Sequence, residues 1–534
     1  MDRDVIKILP LNSLCETMPE SGGTRAEMKD KHWSDILAER VMGKKKGKYV
    51  ITGGITTSGK PHLGTIGEVL YPAIIKEAIE EKGGSAAFYF VADILDAFDA
   101  VPSDIEKFRS DLEPQLGKPL AHVTDPFGCH DSYGEHYLQG LMDLVRKMEI
   151  NVNLVRSTEL YGEGHFDKYT KMYLADEERM KEIVAKSTFR EKDSLRGWSV
   201  IMPICEKCGK IATTRVISHT DTEYAYTCDR DVEYVKGCGY AGNASIYDHK
   251  YKLQWRVHWP TWQAYFDSDI EGSGVDHMTR GGSGDTAVAI HKNFLGREPP
   301  ILYKYGFILF HGKKYSKSKG IGIGAEELFG LVPEQLAKYI LSVPSLEQDK
   351  NIDPTGDHLV RLYDDIERLS RLEKPENRAD EKKLIAYKRT VGSLRWKARF
   401  LDMLLNYQIY RDWNKVGEIL GDKEGVAYLA PFITKWLEDD YEPERYNFTV
   451  KQGKLTDHAD AVNAFASSLK EGMDELEIHN LVYSVAKEKN VGTPELFKQL
   501  YLATICKEDG PRLGKLFASI GVARVIDMLG KAAE

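Results

Sequence analysis

The sequence lacks any apolar run long enough to span a bilayer. Its longest apolar stretches, such as Ala86–Ala92, fall short of the ~18 residues that a membrane helix needs. The N-terminus, MDRDVIKILP, does not follow the basic, apolar and small-residue order of a secretory signal peptide. We therefore expect no membrane partner and a cytoplasmic location.

An excess of basic residues is also missing. The 73 Lys and Arg residues are outnumbered by 82 Asp and Glu residues, which gives a net charge of −9. This balance disfavours a protein that is coated by nucleic acid over its whole surface. Local basic segments remain possible at 44–48 and 313–319, each of which contains four lysines.

Cysteine is scarce, with seven in 534 residues, so a disulfide framework is not expected and a reducing compartment fits. Four of the seven lie within 34 residues: Cys205, Cys208, Cys228 and Cys238. Their spacing predicts a tetrahedral structural Zn²⁺ site, with free buried cysteines as the alternative. A second candidate site comprises Asp125, Cys129, His130 and His136. The adjacency of Cys129 and His130 argues against convergence on one ion, and partly buried polar side chains are its alternative.

Hydrophobic patterning predicts an α/β protein. A β-branched strand at 48–52, a Gly-rich loop, a helix at 66–82 and a strand at 85–92 form one unit, which implies a parallel pair with a right-handed crossover. The βα pattern weakens from 121 to 250 and returns from 251 to 330. We expect an N-terminal extension (1–27), a split catalytic domain (28–120 and 251–330), an inserted module (121–250) and a helical region (331–534).

The loop after the first strand has two phosphate-binding interpretations. Residues 54–60 fit the P-loop spacing G-x-x-x-x-G-K, but Pro61 stands where that motif needs a Ser or Thr hydroxyl for Mg²⁺. Alternatively, Pro61-His62-Leu63-Gly64-Thr65 resembles an H-I-G-H signature, in which an imidazole at a helix N-terminus binds ATP phosphates. The alternative is that His62 is an ordinary surface histidine in a βα turn.

A second basic motif, Lys314-Tyr-Ser-Lys317-Ser318, follows a late strand-like run. Lysines there could neutralise the charge that builds on ATP phosphates during attack by a carboxylate. A solvated basic loop is the alternative for a single lysine run, but two such motifs about 250 residues apart form a distinctive pair.

Several segments together resemble the class I aminoacyl-tRNA synthetases, and within them the class I lysyl-tRNA synthetases of archaeal type. They are GITTSGKPHLG, DPFGCHDSYGEH, WRVHWP with Gly274-Val-Asp-His277, KYSKSKG and EDGPRLG, and the similarity spans nearly the whole chain beyond residue 27. The resemblance implies a Rossmann catalytic domain with a zinc-bearing insertion, followed by an all-helical anticodon-binding region. Composition alone would equally allow a helical dimerisation domain there.

The resemblance also implies site residues. The catalytic group would be His62, Thr65, Lys314 and Lys317. ATP contacts would come from Ser58, Pro61, His62, Gly64, Thr65, Lys314, Ser316, Lys317 and Ser318. The amino acid would lie among Gly54, Thr56, Trp255 and His277, although core packing of Trp255 and a structural His277 are the alternatives. Asp93 and Asp96 follow the second strand, where parallel sheets bind ligands, and could bind an ammonium or cap a helix.

The expected reaction is the ATP- and Mg²⁺-dependent attachment of lysine to tRNA(Lys) through lysyl-adenylate, by a monomer with zinc at one or both metal sites. One departure is Lys304, which stands where relatives carry an acid, and like charge there would disfavour a lysine substrate. The alternatives are a class I synthetase with another amino-acid specificity, a P-loop NTPase with a helical partner-binding domain, or a tRNA-binding paralogue without turnover.

Overall fold

The computed structural model describes residues 31–314, 324–343 and 345–533, which form two compact units. The first unit contains the described residues up to Leu328, together with Lys338–Ile352 and Pro375–Thr390. The second contains Phe329–Ala337, Asp353–Lys374 and the described residues from Val391 onward. The predicted extension at 1–27 and most of the KYSKS segment lie outside the described residues.

The first unit is built on a five-stranded parallel sheet whose strands, from one edge to the other, are β12 (Ile301–Tyr305), β11 (Ile270–Gly274), β1 (Lys48–Ile55), β2 (Ser85–Ala92) and β3 (Asn153–Arg156). In β1 and β2 every residue from Lys48↔Ser85 to Ile55↔Ala92 is paired, which confirms the parallel pair that the sequence predicts. Nearly continuous apolar residues in β2 fit a strand that is covered on both faces by helices.

Helices follow the sheet strands in sequence. The apolar positions of LGTIGEVLYPAIIKEAIEE recur at helical spacing, so this helix buries one long face against β1 and β2. The α-helices of this part of the chain are α1 Trp33–Lys44, α2 Leu63–Glu81, α3 Arg109–Leu112, α4 Tyr133–Lys147, α5 Ser157–Gly162, α6 Asp167–Ala175, α7 Glu177–Ser187, α8 Trp255–Tyr265 and α9 Ser283–Asn293.

The insertion contributes small antiparallel sheets between α7 and α8. They comprise β4 Ile201–Pro203, β5 Arg215–His219, β6 Glu223–Thr227, β7 Asp231–Val232, β8 Val235–Lys236, β9 Ala241–Ser245 and β10 Tyr251–Leu253. Short 3-10 helices lie at Ser103–Phe108, Glu113–Gln115, Leu120–His122, Lys192–Leu195 and Ile246–Asp248. A last small sheet, with the order β14-β13-β15, consists of β13 Ile308–Phe310, β14 Lys313–Lys314 and β15 Lys350–Ile352.

The described elements from residue 357 to the C-terminus are helices, as the sequence predicts. They are α12 Asp357–Leu369, α13 Arg378–Thr390, α14 Phe400–Tyr410, α15 Trp413–Leu420, α16 Lys423–Glu438, α17 Ala459–Ser468, α18 Glu475–Glu488, α19 Thr493–Ile505, α20 Leu513–Ile520 and α21 Val522–Ala533, with a 3-10 helix at Glu444–Tyr446. They are preceded by α10 Ala325–Leu331 and α11 Glu334–Ser342. Among the described residues, no helix is long and apolar enough to cross a membrane.

The division between the units is interleaved rather than a single cut near residue 331. Helix α13 belongs to the first unit because Arg389 is nearly buried there and binds acids on α1 and α2. Its guanidinium lies 2.8 Å from Asp35 and 2.6 Å from Glu81. Strand β15 likewise pairs with β13, which attaches 350–352 to the first unit.

Candidate active site

The loop between β1 and α2 lines a cavity of about 240 Å³ that includes Thr56, Ser58, Pro61, His62 and Thr65. His62 is the N-cap residue of α2, and its backbone N–H donates to Thr65 Oγ1 at 3.2 Å. A side chain at Gly64 would lie 2.8 Å from the His62 ring, so only glycine leaves room for the imidazole in this position. The imidazole, the hydroxyl and the N-terminus of a long helix therefore share one cavity, in which the helix N-terminus favours anionic groups.

Lys60, the lysine of the P-loop spacing, also lines this cavity. Its ammonium lies 3.6 Å from Asp104, and both side chains are exposed. The next residue, Pro61, lacks both the hydroxyl and the N–H that the P-loop motif uses at this point. The structure therefore favours the histidine-based interpretation of this loop.

The chain returns to His62 at Gly324, six residues beyond the KYSKS segment. Gly324 forms an antiparallel bridge with His62, and the Ala325 N–H donates to the Pro61 carbonyl at 3.0 Å. At the other end of the segment, Lys314 pairs with Leu309 in the small sheet. Ser316, Lys317 and Ser318 lie outside the described residues, as does the side chain of Lys314.

Gly54 is linked to Trp255 through the Trp262 ring, and Trp255 in turn lies next to His277. A side chain at Gly54 would lie 3.2 Å from the Trp262 ring, and the Trp255 and Trp262 rings are 5.5 Å apart. Trp255 is half-buried rather than a core residue, its indole N–H donates to Ser283 at 3.0 Å, and its ring is 5.9 Å from His277. Desolvation lowers the pKa of His277, so its imidazole is neutral at physiological pH.

Lys252 is a buried residue that sequence reasoning missed. Its ammonium forms ion pairs with Asp93, at 2.8 Å, and with Asp96. Burial opposes a charged amine, but the charges of the two carboxylates outweigh it and raise the pKa of Lys252. Asp96 in turn accepts a hydrogen bond from Thr56 Oγ1 at 2.6 Å. Asp93 and Asp96 are thus balanced by a cation of this chain, and Asp96 orients the Thr56 hydroxyl.

A second missed residue is Glu271, which is buried in β11. It accepts hydrogen bonds from Thr52 Oγ1 at 2.8 Å and from the Trp262 indole N–H at 3.1 Å. Burial raises the pKa of Glu271 to about 7. The sequence signal for this contact was an acidic residue within the strand segment IEGSG. In the structure this carboxyl group holds the Trp262 ring in place.

Lys304, the departure noted in the sequence, lies on the edge strand β12. Its side chain is exposed and pairs with Glu347 at 3.4 Å. The flanking residues Tyr303 and Tyr305 are buried. The charge of Lys304 is therefore directed to the surface, where solvent and Glu347 reduce its effect on a substrate.

The four cysteines of the insertion converge. The Cys205 and Cys238 sulfurs are 3.7 Å apart, the Cys208 and Cys228 sulfurs are also 3.7 Å apart, and all four lie within 4.8 Å of one another. Tetrahedral Zn²⁺ with Zn–S bonds of about 2.3 Å requires sulfur separations of roughly 3.8 Å. Gly209 and Gly239 adopt positive φ in the two turns, which lets the chain fold back at each cysteine pair.

The second candidate cluster also converges, although the adjacency of Cys129 and His130 by itself leaves little freedom for it. Cys129 Sγ lies 3.1 Å from His130 Nδ1, 3.3 Å from His136 Nδ1 and 3.3 Å from an Asp125 oxygen. The Asp125 carboxylate accepts backbone N–H groups of Phe127, Cys129 and His130, and this tight turn directs the adjacent side chains inward. Three ligand types around one point fit a Zn²⁺ ion.

A parallel sheet with a histidine-capped helix after its first strand, in a chain that carries the KYSKS sequence after its last sheet strand, is typical of a class I aminoacyl-tRNA synthetase. The family described as tRNA synthetases class I (K) matches residues 31–391. The chain belongs to this family. It is 31% identical to a lysine–tRNA ligase of Archaeoglobus fulgidus, over 94% of this chain and 100% of that protein. It is 29% identical to a lysine–tRNA ligase of Methanosarcina barkeri, over 94% and 98% of the two chains.

Proposed function

We propose that this protein joins lysine to tRNA(Lys). Lysine and Mg²⁺-ATP react to give lysyl-adenylate and pyrophosphate, and the lysyl group then passes to the terminal adenosine of the tRNA with release of AMP. The cytoplasm is the compartment in which we place this reaction. Family membership and two lysine–tRNA ligases matched over nearly their whole lengths support this proposal.

The observation that carries the mechanism is the bridge between His62 and Gly324. It attaches Gly324, six residues after Ser318, to the start of α2, which supports the proposal that both motifs act at one cavity. In this proposal His62, Thr65 and the backbone of α2 bind the phosphates, with Ser58, Pro61 and Gly64 shaping the cavity. Lys314 and Lys317, with Ser316 and Ser318, neutralise the charge that develops on the leaving pyrophosphate.

The amino acid is proposed to bind beside Gly54, where the Val91 carbonyl and the Trp262 ring approach the backbone too closely for any side chain. The Trp255 ring would line the aliphatic stem, and the neutral imidazole of His277 and the hydroxyl of Thr56 would bind polar groups. Asp93 acts through Asp96 and Lys252 as a positioning residue for Thr56 in this arrangement. Because Lys304 points to the surface, it does not oppose a lysine substrate.

Charging of total tRNA with each of the twenty labelled amino acids tests the proposal. We expect lysine alone to be attached. Pyrophosphate exchange with lysine is measured in parallel, both with and without tRNA. Attachment of another amino acid would retain the class and overturn the specificity. Failure to attach any amino acid would favour a tRNA-binding paralogue, whereas ATP hydrolysis abolished by Lys60→Ala would favour the NTPase alternative.

Both metal clusters are proposed to hold structural Zn²⁺, one through Cys205, Cys208, Cys228 and Cys238 and the other through Asp125, Cys129, His130 and His136. We expect Cys228→Ala to lose one equivalent of zinc and to lower the midpoint of thermal unfolding, because the remaining thiolates cannot complete a tetrahedron. Cys506→Ala, at an exposed cysteine outside both clusters, is the matched control. Elemental analysis that finds equal zinc in both variants would contradict the assignment.

A further inference from the structure

An exposed aromatic ring stands beside the proposed amino-acid pocket. Phe189 follows the end of α7 and is 60% exposed, the largest value among the large exposed hydrophobic side chains of the described residues. Its backbone adopts φ 56°, a left-handed conformation that usually favours glycine. The turn is closed by the Arg190 N–H, which donates to the Ala185 carbonyl at 3.0 Å. This geometry directs a large apolar ring to the surface at a conformational cost.

One face of the Phe189 ring is covered by an arginine. The Arg280 guanidinium lies 4.5 Å from the ring centroid, and Gly281 leaves room for the edge of the ring. Arg190 and Arg256 lie close enough together that the charge of Arg190 adds to the burial that lowers the pKa of Arg256. Among the described residues, none of the three guanidinium groups has a carboxylate within ion-pair distance. The nearby acid, Asp285, accepts the Gly281 N–H at 2.7 Å.

The location connects this surface to the reaction. Arg280 lies three residues after His277 in the same loop, and Arg256 is the next residue after Trp255 in α8. Arg256 donates to Thr286 Oγ1 at 2.9 Å, and the same hydroxyl accepts from Ser187 at the end of α7. The aromatic ring and the cationic cluster are therefore joined by hydrogen bonds to the loop and helix that carry the proposed pocket.

We propose that Phe189, Arg280, Arg190 and Arg256 form a binding surface for the unpaired 3′ end of the tRNA. A nucleobase stacks on the free face of Phe189, and the guanidinium groups bind the adjoining phosphates. Single-stranded nucleic acid is recognised by this combination of an aromatic platform and a cationic groove. The three guanidinium groups have no carboxylate partner in the part of the chain that the structure describes, although the chain as a whole has a net charge of −9. This local positive charge therefore favours an anionic partner. The inference rests on the proposed function, because the tRNA 3′ end that this surface would bind is the end that receives the lysyl group.

The test compares a transcript carrying the lysine anticodon with the same transcript lacking its unpaired 3′ nucleotides. We expect the wild-type protein to bind the complete transcript about tenfold more tightly, since one stacked base changes affinity by roughly 5- to 150-fold. Phe189→Ala and Arg280→Ala should reduce this ratio toward one, and Phe189→Trp should preserve it. Tyr247→Ala, at another highly exposed aromatic residue, is the matched control and should keep the full ratio.

The outcomes separate this inference from the proposed function. If Phe189→Ala leaves the ratio of the two affinities unchanged while the protein charges lysine, the docking surface is wrong and the proposed function stands. Retention of the ratio by Phe189→Leu would also overturn it, because leucine keeps apolar bulk without a ring. If poly-glutamate abolishes the ratio at equal charge concentration, the surface binds anions generally and not a nucleobase. If the protein does not charge tRNA with lysine, but the ratio of the two affinities still depends on the Phe189 ring, only the proposed function is overturned.

Discussion

Lys252→Met is expected to destabilise the first unit by about 3–5 kcal/mol, because it removes one partner of a buried ion pair and leaves the other uncompensated. Asp93 and Lys252 are both about 1% exposed, so water cannot replace the lost ammonium. Methionine has a similar length, and the loss therefore reports charge rather than volume. Urea denaturation followed by fluorescence measures the change in the free energy of unfolding.

Lys250→Met is the matched control, since Lys250 is two residues away and exposed. We expect it to change the free energy of unfolding by less than about 0.5 kcal/mol. Adding Asp93→Asn to Lys252→Met should recover part of the loss, since it removes the buried orphan charge. A loss below about 1 kcal/mol for Lys252→Met would show that solvent reaches the ion pair.

The same substitution should affect the amino-acid site. Asp96 contacts both Lys252 and Thr56, so loss of the ammonium frees the carboxylate that orients the Thr56 hydroxyl. The activity that survives should show a raised KM for lysine, whereas a purely structural role would lower the amount of active protein with KM unchanged. Active-site titration separates these two results.

Local sequence pattern was sufficient for the central βαβ unit. The strand at 85–92 was predicted with the bounds that the structure shows, because β2 is a continuous apolar run bounded by Gly84 and Asp93. Helix α2 begins at Leu63 rather than 66, since His62 and Thr65 cap its first turn and polar capping residues do not show apolar periodicity. The convergence of Cys205, Cys208, Cys228 and Cys238 was also predictable from spacing.

Long-range charge pairing was not predictable from the sequence. Lys252 lies between apolar and aromatic residues in YKLQW, and nothing local distinguishes it from a surface lysine. It contacts Asp96, 156 positions earlier in the chain, only because β10 is placed beside the sheet. The membership of α13 in the first unit has the same origin, since Arg389 contacts Asp35 from 354 positions away. Such pairs depend on tertiary structure, which no local period encodes.

The prediction with the largest effect on rate is Lys317→Ala, for which we expect adenylate formation to fall by about 10²–10³-fold with little change in lysine binding. A cation that faces the leaving pyrophosphate acts mainly where charge develops, so its removal lowers the rate and leaves the ground state intact. Pyrophosphate exchange in the presence of tRNA measures the rate, and equilibrium dialysis with labelled lysine measures binding. Measuring exchange both with and without tRNA separates a tRNA requirement for activation from the effect of the substitution.

Lys319→Ala is the matched control, because it also removes one positive charge, two positions further along the same segment. If general attraction of ATP to a basic segment were the cause, both variants would raise the KM for ATP to a similar extent at low salt, and added salt would remove the difference from the wild type. A positioned transition-state contact instead lowers kcat in Lys317→Ala alone and persists at high salt. Equal losses in rate and in lysine binding would contradict the role, since uniform weakening indicates a disturbed pocket rather than a missing charge.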